Sequence, residues 1–378
     1  MTETATAART PETGVPLLEA RGLTKHFQLH HAPRRGRARL ARGAAAAAPV
    51  VHAVEEVSLT LPQAGIIAVV GESGSGKSTL ARLLARLITP TSGELLLDGQ
   101  PVPAASRHRR EYARDVQLVL QDPFSSLNPV HDVRYHLARP LQIHGLGDAG
   151  STLDAAATAL LERVALTPAA QFLRKYPHEL SGGQRQRVAI ARALAVKPRV
   201  LLADEPVSML DVSIRLGVLN LLGDLRDRDR LGILYITHDI ASARYLADVI
   251  MVMYAGEVVE SGPASVVTDE PAHPYTQLLL SAAPDPDRAQ PPSLQGRGSP
   301  PSLVAPPSGC RFHPRCPYAM AVCADRTPPA AQVAAGHSSA CWLHGSGLTT
   351  AESQPLSSRP AGPADAPSSS TAEGGEES

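Results

Sequence analysis

Aromatic residues make up only 3% of the 378 positions, with one Trp, four Phe and eight Tyr. Few rings are therefore present on which bases could stack. Lys and Arg number 36 and so do Asp and Glu, so the chain carries no global basic field. Both absences argue against nucleic acid as a partner. No apolar run approaches the roughly 18 to 20 residues that cross a bilayer. The first thirty positions also lack the apolar core of a signal peptide, so the chain is expected in the cytosol, with any membrane work done through partner subunits. Cysteine is nearly absent, and all four lie between Cys310 and Cys341. Cytosolic thiols stay reduced, so structural disulfides are not expected there.

Apolar residues are plentiful at 43%, enough for a substantial core, and the length fits two domains or one large domain with appendages. Residues 1–16 and 346–378 are rich in Ala, Ser, Thr, Pro, Gly and Glu with almost no apolar anchors, and are expected to be disordered. Between His30 and Pro49, Arg34, Arg35, Arg37, Arg39 and Arg42 precede a run of alanines, which reads as a solvated insertion between two β segments.

The chemistry begins at Gly71, Glu72, Ser73, Gly74, Ser75, Gly76, Lys77 and Ser78, followed by Thr79, which fit the phosphate-binding loop pattern G-x-x-x-x-G-K-[ST]. Its glycines let successive N–H groups face an anion, Lys77 can reach the outer phosphates, and the Ser78 hydroxyl can bind Mg2+. The flanks agree. Ile66 to Val70 is an apolar run of buried-strand length, and Leu80, Leu83, Leu84 and Leu87 recur at helical spacing, predicting strand, loop and helix. A helix starting there aims its positive end at the bound phosphates. Three more short apolar runs each end in polar residues: Val116 to Leu120 at Gln121, Val200 to Ala203 at Asp204 and Glu205, and Ile233 to Ile236 at Thr237 and His238. Leu180, Ser181, Gly182, Gly183 and Gln184 form a further element. Ser181 and Gln184 fit a capping box, Val188, Ala191, Leu194 and Ala195 give an apolar helical stripe, and the glycines leave the helix start uncovered. That exposed positive end suits a phosphate but has no nucleotide of its own. Asp154 to Ala165 suits a helix, and Ala255-Gly256 suits a hairpin turn.

The phosphate loop with Leu-Ser-Gly-Gly-Gln about a hundred positions later resembles the ATP-binding cassette (ABC) ATPases, over Leu17 to about Gly262. The resemblance implies an α/β P-loop fold with a mixed β core, an antiparallel β subdomain and a helical subdomain at about 122–198, within a nucleotide-binding domain over 17–270. It implies ATP and Mg2+ as ligands. Phe27 would stack on adenine, Ser78, Asp204 and Gln121 would hold the metal, Glu205 would act as general base, and His238 would contact the γ-phosphate. Ser208 to Asp211 would cross the interface between two cassettes, with Met209 standing where the family usually has a small residue. Ser181 to Gln184 would complete the site of a partner ATPase. The stretch Asp122 to Pro129, with Phe124, would lie where a permease docks.

The cysteine spacing C-x5-C-x6-C-x17-C lacks the close pair usual in structural zinc sites, whereas four thiolates can hold a [4Fe–4S] cluster. Cys310 to Cys316, Cys323 and Cys341, together with Tyr176 to Glu179, Pro206 to Ser208 and His273 to Thr276, resemble the oligopeptide/dipeptide importer ATPases and their C-terminal extension, here 271–345. A [4Fe–4S] cluster, zinc and unliganded packing thiols are the three readings of this module. The implied assembly is a second, non-identical ATPase, two permeases and an extracytoplasmic binding protein, at the cytoplasmic face of the membrane. Nickel, sugars or antimicrobial peptides are alternative cargoes. A soluble ABC ATPase is disfavoured, because the chain has one cassette and no long coiled-coil insertion.

Overall fold

The computed structural model describes residues 15–29, 48–103, 109–122, 126–146, 151–282, 299–345, 348–349 and 352–355. Most of the arginine-rich insertion, Phe124, residues 1–14 and residues 356–378 lie outside the described residues. Two sheets organise the chain. Strands β1 (Leu18–Gln28), β2 (Val50–Leu61), β4 (Ser92–Leu97) and β5 (Gln100–Pro101) form an antiparallel sheet in the order β2-β1-β4-β5.

The second sheet is mixed and carries the chemistry. Its centre is the parallel set β3 (Ile66–Val70), β8 (Gly232–Thr237), β7 (Val200–Asp204) and β6 (Val116–Val119). Every residue of β3, β7 and β8 is buried, as expected for strands covered on both faces, which explains their unbroken apolar runs. On the other side of β3 follow β9 (Val249–Tyr254), parallel to it, and then β10 (Glu257–Pro263), antiparallel. The turn between them falls at Ala255 and Gly256 as the sequence suggests, with both residues at positive φ. The sheet then continues into β12 (His337–Ser339) and β11 (Ala331–Ala334). The cysteine-bearing extension thus adds two strands to the catalytic sheet.

One face of the mixed sheet packs against the helices of residues 126–194 and those after β7 and β8, and the other against the antiparallel sheet and the helix Lys77–Leu84. That helix is shorter than the leucine spacing predicts. It stops at Leu84, Arg86 turns the chain at φ 54, and Leu87 is left 55% exposed while Leu80, Leu83 and Leu84 are buried. The predicted helix in 154–165 is Ser151–Arg163. Within the C-terminal stretch expected to be disordered, the Ala321 N–H donates to the Gln354 carbonyl at 2.9 Å, and Arg326 pairs with Glu352 at 2.7 Å. The reason is that this stretch finds unpaired donors at the start of the short helix Ala321–Asp325.

Candidate nucleotide site

The phosphate loop leaves β3 and enters the helix Lys77–Leu84 through Gly76, whose φ of 102 only glycine adopts at low cost. A Cβ at Gly76 would also stand 2.2 Å from the Ala53 carbonyl oxygen, so the loop is locked against β2 by the absence of a side chain. Lys77 is 4% exposed, and its ammonium donates to the loop's own carbonyls, Gly71 O at 2.7 Å and Glu72 O at 2.8 Å. Burial pushes its pKa down, against the pull of Glu205, Asp204 and Glu72. A cation held this way is ready to exchange carbonyls for phosphate oxygens. Ser75 Oγ is buried without a hydrogen-bond partner, an orphaned polar atom within the cradle.

The strands bring the other residues to the same end of the sheet. The Ser78 hydroxyl donates to Asp204 Oδ1 at 3.0 Å, joining the helix start to the end of β7. Burial raises the Asp204 pKa, and the Ser78 hydrogen bond and the charges of Arg82 and Lys77 offset that only in part, so a divalent cation would add to the positive charge around this carboxylate. The pair fits Mg2+, with a hydroxyl and a buried carboxylate as hard oxygen ligands. Next in the chain, Glu205 adopts φ 45, a left-handed conformation that is costly for a residue with a side chain. It is held by a 2.9 Å bond from its N–H to the Ile236 carbonyl of β8, and its carbonyl accepts from Ser208 Oγ at 3.0 Å. This twist turns its carboxylate toward Gln121 Nε2, which donates to Glu205 Oε2 at 2.8 Å, and toward His238 Nδ1 at 3.3 Å from the same oxygen. Glu205, Gln121 and His238 come from the ends of three strands, β7, β6 and β8, and meet only because those strands are neighbours. A carboxylate so flanked can take a proton from water while an amide and an imidazole orient it.

Phe27 lies near the end of β1, 37% exposed, with Lys25 Nζ 5.0 Å from its ring centroid. Beside it His26 and His52 converge on Glu55, at 3.1 Å each, and Arg311 binds the same carboxylate at 3.1 Å. The signature residues form the predicted capping box: the Gln184 N–H donates to Ser181 Oγ at 3.3 Å, and Gln184 Oε1 accepts from the Ser181 N–H at 3.0 Å. The helix Gly182–Leu194 buries Val188, Ala191 and Leu194 and leaves Ser181 at the surface. Asp211 is exposed at the start of the helix Val212–Asp229, near exposed Met209. The signature and Asp211 lie outside the cluster around Lys77 and Glu205, with no hydrogen bond between them among the described residues.

All four cysteines line one small cavity, with Phe312, His273 and Trp342. Burial pushes the Cys310 and Cys316 thiols up to about 12 and Cys341 up to about 11. Sequence reasoning gave no role to Arg315 and Tyr275, yet both bind Glu72 of the phosphate loop. Their signal was present only as subfamily wording, since neither lies near the loop in sequence.

Comparison with known proteins bears on this geometry. Residues 54–208 match the ABC transporter family, and residues 259–323 match the oligopeptide/dipeptide transporter C-terminal region. A probable peptide ABC transporter ATP-binding protein, y4tS of Sinorhizobium fredii, is 42% identical over 86% of this chain and 89% of its own. The di/tripeptide transport ATP-binding protein DppF of Pseudomonas aeruginosa is 43% identical over 82% of this chain and 93% of its own. Among solved structures, the ATP-binding cassette MJ0796, a dimer bound to ADP and Pi after hydrolysis, aligns with TM-score 0.55 and 27% identity over 65% of this chain and 98% of its own. With such identity over most of both chains, the chain belongs to the ATP-hydrolysing, Mg2+-dependent ATP-binding proteins of ABC transporters, in the branch with the oligopeptide/dipeptide C-terminal region.

Proposed function

We propose that the chain energises a binding-protein-dependent importer of oligopeptides or dipeptides. The observation that carries this is the joining, in one chain, of a complete hydrolytic cluster to the oligopeptide/dipeptide C-terminal region. Their placement supports the following roles. Gly71 to Thr79 cradle the phosphates, Phe27 takes the adenine face, and Ser78, Asp204 and Gln121 hold Mg2+, which neutralises charge on the phosphates. Glu205 takes the proton of the attacking water, with His238 and Gln121 fixing its direction. Ser181, Gly182, Gly183 and Gln184 present a capped helix start to the nucleotide of a partner ATPase, and Asp211 and Met209 face the same partner. Residues 17–270 make up the nucleotide-binding domain and 271–345 its extension.

The partners are a second, non-identical ATPase, two permeases and, indirectly, an extracytoplasmic binding protein, with the chain at the cytoplasmic face of the membrane. Among the described residues no helix is long and apolar enough to cross a membrane. The permease would dock at the stretch from Asp122 to Pro129 and onto the groove that begins at the next residue, lined by Val130, Tyr135 and Tyr176, with Val130 74% exposed. For the four cysteines we favour a [4Fe–4S] cluster over zinc. No three of their sulfurs lie within 4.8 Å of one another. A tetrahedral zinc site with bonds of about 2.3 Å would bring them to about 3.8 Å. Iron and sulfide analysis after anaerobic purification tests this, and a colourless protein with stoichiometric zinc would overturn it.

The importer reading is tested by capturing the tagged Glu205→Gln chain from its native membranes with MgATP and identifying partners by mass spectrometry. Two permeases, a second ATPase and a peptide-binding protein are expected. Ribosomal or DNA-repair partners without permeases would refute it.

A further inference from the structure

Glu72 is the one acidic residue of the phosphate loop, and a carboxylate beside a triphosphate site opposes binding unless its charge is matched. Its match comes from far along the chain. Arg315 grips Glu72 in two parallel bonds, Nη1 to Oε2 at 2.9 Å and Nη2 to Oε1 at 3.0 Å, the fork geometry in which guanidinium and carboxylate bind most strongly. The side chains are 11% and 27% exposed, so the pair is shielded from much of the solvent. The guanidinium also lies 5.7 Å from the ring centroid of Tyr254 and 6.0 Å from that of Phe312, which hold it in place. The loop backbone is held as well: the Glu72 N–H donates to Tyr275 Oη at 2.8 Å, and the Glu72 carbonyl accepts from Lys77 Nζ at 2.8 Å.

Each polar group of Glu72 is thus engaged. Of its four partners, Arg315 and Tyr275 belong to the C-terminal extension, Lys77 is the lysine that must reach the phosphates, and Ser75, whose N–H donates to the Glu72 carbonyl at 3.2 Å, lies within the loop. Arg315 sits on the short turn His313–Arg315 between Cys310 and Cys316. There the His313 N–H donates to the Cys310 carbonyl at 3.0 Å and the Cys316 N–H to the His313 carbonyl at 3.2 Å. The arginine therefore takes its position from the cysteine module itself.

We propose that Arg315 and Tyr275 are positioning residues for ATP: Arg315 neutralises and orients Glu72, Tyr275 anchors its backbone, and through them the cysteine module frames the phosphate loop. The inference rests on Gly71 to Thr79 being the ATP site. Neither residue needs to touch the nucleotide. Loss of Arg315 leaves a carboxylate uncompensated beside the phosphates, so affinity falls while the hydrolytic cluster stays intact.

The test is titration of the full-length chain with a fluorescent methylanthraniloyl-ATP and Mg2+, paired with steady-state ATPase assays. Arg315→Met is expected to weaken binding about tenfold or more, as one unmatched charge at loop distance would. KM should rise with it, and kcat at saturating ATP should stay within about threefold. Arg315→Lys should recover most of the affinity. Adding Glu72→Gln to Arg315→Met should restore binding to within about threefold of the parent, because removing the charge removes the need to match it. Tyr275→Phe should weaken binding a few-fold. Unchanged affinity in Arg315→Met would overturn the proposal. So would a double variant as weak as the single one while its thermal unfolding matches the parent. If Arg315→Met does not fold, Arg315→Gln, alone and combined with Glu72→Gln, takes its place under the same criteria. A parent chain that binds no nucleotide, or binds equally after Lys77→Ala, would instead overturn the site reading beneath it.

Discussion

Replacing Glu205 by glutamine separates binding from chemistry at this site. The carboxylate is 14% exposed and its Oε2 is both the acceptor for Gln121 at 2.8 Å and the atom 3.3 Å from His238 Nδ1. An amide of the same shape leaves no cavity, and its oxygen can still accept from Gln121. What it loses is basicity, since an amide does not take a proton from water at neutral pH. General-base catalysis contributes about 100- to 10,000-fold. That corresponds to about 2.7 to 5.4 kcal/mol of barrier. Binding should move the other way. Glu205 is the first of the three carboxylates whose charge acts on Lys77, so its neutralisation removes repulsion toward a triphosphate. Glu205→Gln should therefore bind MgATP as tightly as the parent or a few-fold tighter, release phosphate at least about 100-fold more slowly, and accumulate a closed dimer when mixed with the partner ATPase. Equilibrium binding, a phosphate-release assay and gel filtration with MgATP read these three quantities. Phosphate release within about threefold of the parent would refute the assignment of the base. A tenfold loss of affinity with intact folding would show that the carboxylate is a binding element instead.

Phe27→Ala should weaken ATP binding about 5- to 100-fold, the value of one stacked base, with Phe27→Tyr close to the parent; equal affinity in the alanine variant would remove Phe27 from the site. Asp204→Asn should abolish hydrolysis yet raise the nucleotide-free Tm at pH 7.5. Burial raises the folded pKa of Asp204, so its charged form costs stability above that pKa, and the gain should shrink as pH falls through it and the parent also becomes neutral. A lower Tm at pH 7.5, or a gap independent of pH, in thermal unfolding would contradict this. Glu260 is 1% exposed and accepts from the Ala272 and His273 N–H groups at 2.8 Å each and pairs with His337 Nε2 at 2.7 Å, tying β10 to the extension. Glu260→Ala should cost about 3 to 5 kcal/mol in denaturant unfolding, because three buried donors lose their acceptor; a cost under about 1 kcal/mol would show that the site repacks.

The residues of the nucleotide site were legible because their chemistry is local. A phosphate loop is a run of consecutive backbone N–H groups, a capping box closes over three residues, and a buried parallel strand announces itself as an unbroken apolar run ending in the residue it delivers. Gly71 to Ser78, Ser181 with Gln184, and Asp204 with Glu205 could each be found without knowing what lies beside them. Leu87 was misread because spacing marks a helical face but not where the helix ends, and the left-handed turn at Arg86 takes it into solvent.

What the sequence could not decide is which of these pieces touch. The meeting of Gln121, Glu205 and His238 depends on the order β8-β7-β6, a property of sheet topology rather than of any segment. The grip of Arg315 and Tyr275 on Glu72 spans 243 and 203 positions, and nothing in the wording of either segment names its partner. By itself the sequence determined the fold class and marked the phosphate loop and the polar residues at the strand ends, because local backbone chemistry dictates them. Only the tertiary structure decided that the cysteine extension is built into the catalytic sheet and braces the loop, because strand order and long-range ion pairs are set by packing across the whole chain.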